Sequence, residues 1–183
     1  MSKTLLHTEK FNLTLRRLCH QLLENYGDFE DTCIIGIQPR GKFLSKRIRE
    51  LLLEEEPALQ FKYGQLDITF HRDDFRLREK PLQPYPTEID FVTEDKRVIL
   101  VDDVLYTGRT IQAALAAINH FGRPSEVELV TLIDRRFNRH LPIQADYVGL
   151  RVDALDEAYV RVDWNPDGKE REVLLFSAKN NEE

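Results

Sequence analysis

The stretch Val98–Phe121, VILVDDVLYTGRTIQAALAAINHF, constrains this chain more than any other. Val98, Ile99, Leu100 and Val101 form an unbroken apolar run rich in β-branched residues, the pattern of a strand covered on both faces in a parallel sheet. Asp102 and Asp103 place two carboxylates where that strand is expected to end. Thr107, Gly108 and Thr110 then make a turn, and Ile111, Leu115 and Ile118 share one face of a helix that Gly122 and Pro124 close. Paired acids, a hydroxyl- and glycine-bearing turn and a helix N-terminus thus meet at the carboxyl edge of a sheet, where open α/β sheets bind ligands. The turn's amides, its hydroxyls and the helix dipole suit a phosphate. The acids repel phosphate, so they serve sugar hydroxyls or a cation.

A chain of 183 residues that is 42% hydrophobic fits a single domain over residues 1–183. No run approaches the roughly 18 apolar residues that span a membrane, and the N-terminus has no signal-peptide pattern. The expectation is a cytoplasmic protein with no membrane partner. Cys19 and Cys33 fall inside a helical and a strand pattern, as buried thiols do, and the five histidines lack zinc-ligand spacing. A net charge of −6 gives no global attraction to nucleic acid, so RNA binding needs a local basic patch.

Taken in order, Phe11, Leu15, Leu18, Leu22 and Tyr26 recur at helical spacing, and the apolar run Cys33–Ile37 follows as a strand. The next helix, from about Lys42 to Glu55, turns Leu44, Ile48, Leu51 and Leu52 inward. Between these two, Gly36 to Lys42 reads G-x-x-x-x-G-K, the frame of a P-loop. A P-loop needs Ser or Thr after the lysine, and Phe43 stands there; Pro39 also removes an amide from the phosphate cradle. The NTPase reading therefore fails. Tyr63 to Phe70 alternates like a strand, with Leu66, Ile68 and Phe70 on one side. Residues 71–91 are dense in charge and proline without a steady period, so they read as a long functional loop. Val127–Ile133 is a further strand ending at Asp134, and Tyr147–Gly149 a short one. Val160, Val162 and Trp164, a turn at Asn165–Gly168, and Val173–Phe176 give a hairpin. The polar residues 177–183 read as a disordered tail.

The core stretch resembles the phosphoribosyl pyrophosphate (PRPP) motif of type I phosphoribosyltransferases, and its form VDDVLYTGRT is similar to the PyrR family. Members of that family are uracil phosphoribosyltransferases that in some bacteria also regulate the pyrimidine operon through its messenger RNA. The resemblance implies an α/β fold: a central, mostly parallel sheet flanked by helices, with a flexible loop at residues 71–91 and a small C-terminal hood. It implies that PRPP and uracil give UMP and pyrophosphate with Mg2+, held mainly by PRPP and in part by Asp102 and Asp103. These acids and Arg40 are the implied catalytic residues, and Tyr106, Thr107, Gly108, Arg109 and Thr110 the implied 5′-phosphate loop. Arg40, Gly41 and Arg72 are matched to pyrophosphate, with Gly41 allowing close approach of the backbone, and Asp134 and Arg135 to the base. Tyr106 stands where purine enzymes often carry an Asp, and its phenol, with an ordinary pKa of about 10, is a poor base near neutral pH.

A homodimer and an mRNA leader are further partners that the resemblance carries. Arg16, Arg17, Arg135, Arg136 and Arg139 offer a patch for RNA, while Gln144 and Leu150 lack charge where RNA-binding members tend to be basic. The expectation is weak or absent RNA binding beside retained catalysis. The alternatives are a UMP- or PRPP-sensing RNA-binding regulator with weak catalysis, and a phosphoribosyltransferase for another base.

Overall fold

A computed structural model describes residues 2–73, 84–154, 158–164 and 171–176. Its strands β2 (Thr32–Ile37), β3 (Lys62–Leu66), β4 (Arg97–Leu105), β5 (Glu126–Arg135) and β6 (Tyr147–Val152) form one sheet in the order β3-β2-β4-β5-β6. Every neighbouring pair in it is parallel. Strand β4 lies in the middle, and its residues alternate between two cores. Ile99 and Val101 meet helices α1 (Thr8–Tyr26) and α2 (Gly41–Glu55) on one face. Val98 and Leu100 meet helix α3 (Arg109–Ile118) on the other. Burial on both faces is why the run reads as uninterrupted apolar sequence. Cys19 and Cys33 are free and buried, as their patterns require. No helix among the described residues is long and apolar enough to cross a membrane.

The second sheet is antiparallel, in the order β1 (Ser2–Leu6), β8 (Arg171–Phe176), β7 (Tyr159–Trp164). It forms the hood. The hairpin β7–β8 matches the sequence pattern, but its turn lies outside the described residues, as does the tail 177–183. Strand β1 is new: its five residues pack one side chain, Leu6, fully against the core, too little alternation to read from sequence. Strand β7 lies beside β4, and Val160 and Val162 join the core between the main sheet and α1.

Three expectations need correction. The strand expected over Tyr63 to Phe70 stops at Leu66, and Thr69–His71 form a 3-10 turn. Asp67 causes the break: its Oδ1 accepts the Thr69 amide at 3.2 Å and the Thr69 hydroxyl at 2.7 Å, a local alternative to the ladder. Phe70 is left 64% exposed. On α3, Leu115 is 38% exposed, and the inward face is carried by Ala113, Ala114 and Ala117 beside Ile111 and Ile118. Finally, the acids do not end β4, which runs three more residues beyond Asp102 to Leu105.

Two glycines set how α2 meets the sheet. A Cβ on Gly36 would lie 2.2 Å from Ser45 Oγ, and one on Gly41 would lie 2.2 Å from the Val101 carbonyl oxygen. The G-x-x-x-x-G frame therefore reflects helix-to-strand packing. Gly41→Ala must push α2 off β4, and we expect it to lower the unfolding free energy by about 1–3 kcal/mol, read by urea titration.

Candidate functional site

Strand β4 carries Asp102 and Asp103 into the carboxyl edge of the sheet, where they are only 7% and 4% exposed. Loss of water raises both carboxyls. Asp103 is pushed up to about 6, and Asp102, which also feels the charge of Asp103, stands well above the usual carboxylate range. Arg40 opposes the rise at both acids, and Arg72 opposes it at Asp102. The two arginines matched to pyrophosphate thus face the acid pair from different segments: Arg40 from the start of α2, Arg72 from the start of the 71–91 loop. The Asp103 amide donates to Asp102 Oδ1 at 3.0 Å. Asp103 Oδ2 is buried and has no hydrogen-bond partner among the described residues. Such an acceptor suits a ligand hydroxyl or a metal-bound water.

Beyond β4, Gly108 takes a φ of 91°, a left-handed conformation that glycine adopts without strain, and α3 begins at the next residue. The first bond along this helix runs from the Gln112 amide to the Gly108 carbonyl at 3.0 Å; of the amides ahead of it, that of Arg109 donates to the Thr107 hydroxyl at 3.4 Å, and those of Thr110 and Ile111 can meet an anion. Thr107 and Thr110 are half-buried around the same turn. The Arg109 side chain has another engagement, an ion pair with Asp73 that ties this turn to the start of the 71–91 loop. Asp74, the other acid there, lies outside the described residues.

A wall closes the site from the β5 side. Arg135, 4% exposed, lays its guanidinium 3.8 Å from the centre of the Tyr106 ring. Arg139 donates to both the Tyr106 carbonyl and Asp134 Oδ1. The amides of His140 and Leu141 donate to the Thr107 carbonyl at 3.0 and 3.3 Å. The wall residues matched to the base, Asp134 and Arg135, are therefore also spent on holding Tyr106 and its neighbour Arg139. Arg139 itself was legible only as a basic residue; nothing in the sequence shows that it reaches back 33 positions to Tyr106. Gly41 is beside the acids, but the close approach that it permits is to Val101, not to an open ligand space.

Among the described residues no three His, Cys, Asp or Glu side chains converge on a metal-binding point. The acid pair can add one or two oxygens to a cation whose other ligands come from elsewhere. A cleft of about 950 Å³ lies at the amino edge of the sheet between Thr32, Lys62 and Lys96, away from the acids. Its lining mixes Asp28, Glu30, Asp31 and Asp90 with Arg49, Lys62 and Lys96, and no chemistry converges there.

With this geometry in hand, the sequence matches the family described as phosphoribosyl transferase domain over residues 1–167. The chain is also 40% identical over 184 residues to the bifunctional protein PyrR of Elusimicrobium minutum, covering all of both chains. It is 42% identical over 183 residues to that of Haemophilus ducreyi, covering 97% of this chain and 98% of the relative. The chain belongs to the PyrR family of phosphoribosyltransferases. Among solved structures, the hypoxanthine phosphoribosyltransferase of Trypanosoma cruzi superposes with a TM-score of 0.71 at 16% identity, covering 97% of each chain. That likeness shows the shared fold. This PyrR-family chain places its acid pair, the Gly108 turn and the β5-side wall together at the carboxyl edge of the sheet.

The raised carboxyl of Asp103 has a cost that pH exposes. Above pH 6 the fold must hold an ionised, desolvated group, whereas below its ordinary value of 3.8 the acid is neutral whether folded or not. Asp103→Asn is expected to stabilise the protein by about 2–3 kcal/mol at pH 7 to 8. The gain shrinks as pH falls from 6 towards 4. Urea titrations across that range check it.

Proposed function

We propose that this chain is a uracil phosphoribosyltransferase, converting PRPP and uracil to UMP and pyrophosphate. The observation that carries this reading is the buried acid pair facing Arg40 and Arg72 at the mouth of an amide-bearing turn. As the bond from ribose C1 to pyrophosphate breaks, positive charge develops on the sugar and negative charge on the leaving group. Asp102 and Asp103 accept hydrogen bonds from the 2′- and 3′-hydroxyls, and their charge favours the cationic ring. Arg40 and Arg72 take the growing charge on pyrophosphate. Tyr106, Thr107, Gly108, Arg109 and Thr110 wrap the 5′-phosphate, with amides of the turn as donors in place of the Arg109 side chain, which pairs with Asp73. The loop expected over residues 71–91 lies outside the described residues at 74–83. Magnesium bound with PRPP would neutralise charge on the phosphate oxygens, and Asp103, whose Oδ2 is buried without a partner among the described residues, would help hold it or its water.

Tyr106 supports a pyrimidine. Its ring lies under Arg135, and no carboxylate stands at that position to exchange a proton with a purine. Asp134 and Arg135 border the base. Release of pyrophosphate from PRPP is expected to require uracil and magnesium, and Asp102→Asn with Asp103→Asn to lower kcat by more than about 100-fold with the fold intact. Equal or better turnover with hypoxanthine, guanine or orotate overturns the assignment of the base. Near-normal kcat in the double variant returns the acids to a structural role.

The relatives are named bifunctional, and regulation through pyrimidine-operon mRNA is the second activity to weigh. The cations on offer are engaged within the chain. Arg16 pairs with Glu55 at 2.6 Å, and Arg17 donates to the carbonyls of Val148 and Gly149 at 3.0 and 2.6 Å. Arg136 holds Asp153 through two bonds of 2.6 Å, while Arg135 and Arg139 hold Tyr106. Each phosphate contact forgone lowers affinity and its salt dependence. Titration of the organism's own leader RNA, with and without UMP, is expected to show no preference over a scrambled RNA. UMP-enhanced, submicromolar preference at near-physiological salt establishes the regulator instead. Assembly as a homodimer is part of the same proposal.

A further inference from the structure

We propose that Trp164 in the hood is a positioning residue for the pyrophosphate loop, acting on Arg40 through Phe43. Helix α2 begins at Gly41 with Arg40 just before it, and no side chain caps this end. The first turn must therefore be held by packing. Gly41 against Val101 fixes its inner side. Phe43 is not part of the helix's buried face, which comprises Gly41, Leu44, Ser45, Ile48, Leu51 and Leu52, and it stays 46% exposed. Its ring nevertheless stacks on Trp164, with centroids 6.2 Å apart and planes 22° from parallel. Trp164 is steadied from behind by Phe11, a fully buried residue of α1, in an edge-to-face contact at 5.3 Å and 85°. The Phe43 amide in turn donates to the Arg40 carbonyl at 3.1 Å. A continuous series of contacts thus runs from the core through Trp164 and Phe43 to the backbone of Arg40.

This arrangement gives Phe43 a role at the very position where a P-loop would need a hydroxyl. The hood and the loop are 121 positions apart in sequence, so the stack couples two parts of the site that the main sheet alone does not join. When Trp164 is truncated, Arg40 keeps its charge but loses its fixed approach to the acid pair. Binding of the pyrophosphate moiety weakens, while the wall on the β5 side, held by Arg135 and Arg139, is untouched.

The inference rests on the proposed reaction, and its test separates the two. Trp164→Ala is expected to raise the KM for PRPP and the Kd for magnesium pyrophosphate about 3- to 10-fold, the scale of one aromatic pair. The kcat at saturating PRPP and the KM for uracil stay within about 2-fold, and Trp164→Phe restores the wild-type values. Trp164 is the only tryptophan, so its emission reports the link directly. Magnesium pyrophosphate should change the emission of the wild type, and Phe43→Ala should remove that change while calorimetry still detects binding. Phe43→Ala is also expected to weaken pyrophosphate binding to the same degree, which keeps the test open should Trp164→Ala fail to fold. Unchanged pyrophosphate affinity in a folded Trp164→Ala or Phe43→Ala protein overturns the coupling and leaves the proposed reaction standing. A wild-type protein that binds neither PRPP nor pyrophosphate overturns both.

Discussion

Two carboxylates next to each other in a buried strand are the constraint on which this molecule turns. Water is the ordinary solvent of such charges, and β4 has none to offer at Asp102 and Asp103. Nearby cations offset part of that cost, Arg40 at both acids and Arg72 at Asp102. Much of the surrounding structure can be understood as what keeps these four charges in register. Gly41 lets α2 press onto β4, the Arg40 loop follows, and the hood leans on the first turn of the helix.

The wall over β5 solves a related problem for the turn at Gly108. A turn that offers amides to an anion has few bonds of its own, since each amide spent internally is lost to the ligand. Here the stiffness comes from outside. The carbonyls of Tyr106 and Thr107, which face away from an anion's needs, are taken by Arg139 and by the amides of His140 and Leu141, and the Tyr106 ring is pinned by Arg135. Carbonyls do most to hold the turn in place, although the Arg109 amide also donates to the Thr107 hydroxyl at 3.4 Å.

What the sequence disclosed, and what it withheld, follows from the range of the forces involved. The strand and helix around the acid pair were legible because burial on both faces of β4 leaves an apolar run, and because glycine and hydroxyl residues mark the turn locally. The five-stranded parallel sheet followed from the resemblance and from repeated strand–helix patterns. Leu115 misled because α3 meets the sheet through alanines, which a period-based reading underweights. Phe70 misled because an aspartate two residues before Thr69 ended the strand with a side-chain bond, which hydrophobic alternation does not register. The role of Arg139 and the pairing of Phe43 with Trp164 were illegible for another reason. Both join segments remote in sequence, and composition gives an arginine or an aromatic no address.

The hood carries a consequence for how the molecule comes into being. Strand β1 is made long before its partner β8, with Ser2 opposite Phe176. A nascent chain can form α1, the parallel sheet and the acid pair well before that partner exists, because those contacts lie within what has already been synthesised. The roof cannot form until β8 has emerged and the two ends meet, a closure over nearly the whole chain and the slowest kind of contact to find. During that interval the main sheet can assemble while β1 has no partner. The hood therefore closes late, and β1 waits for the segment that completes it.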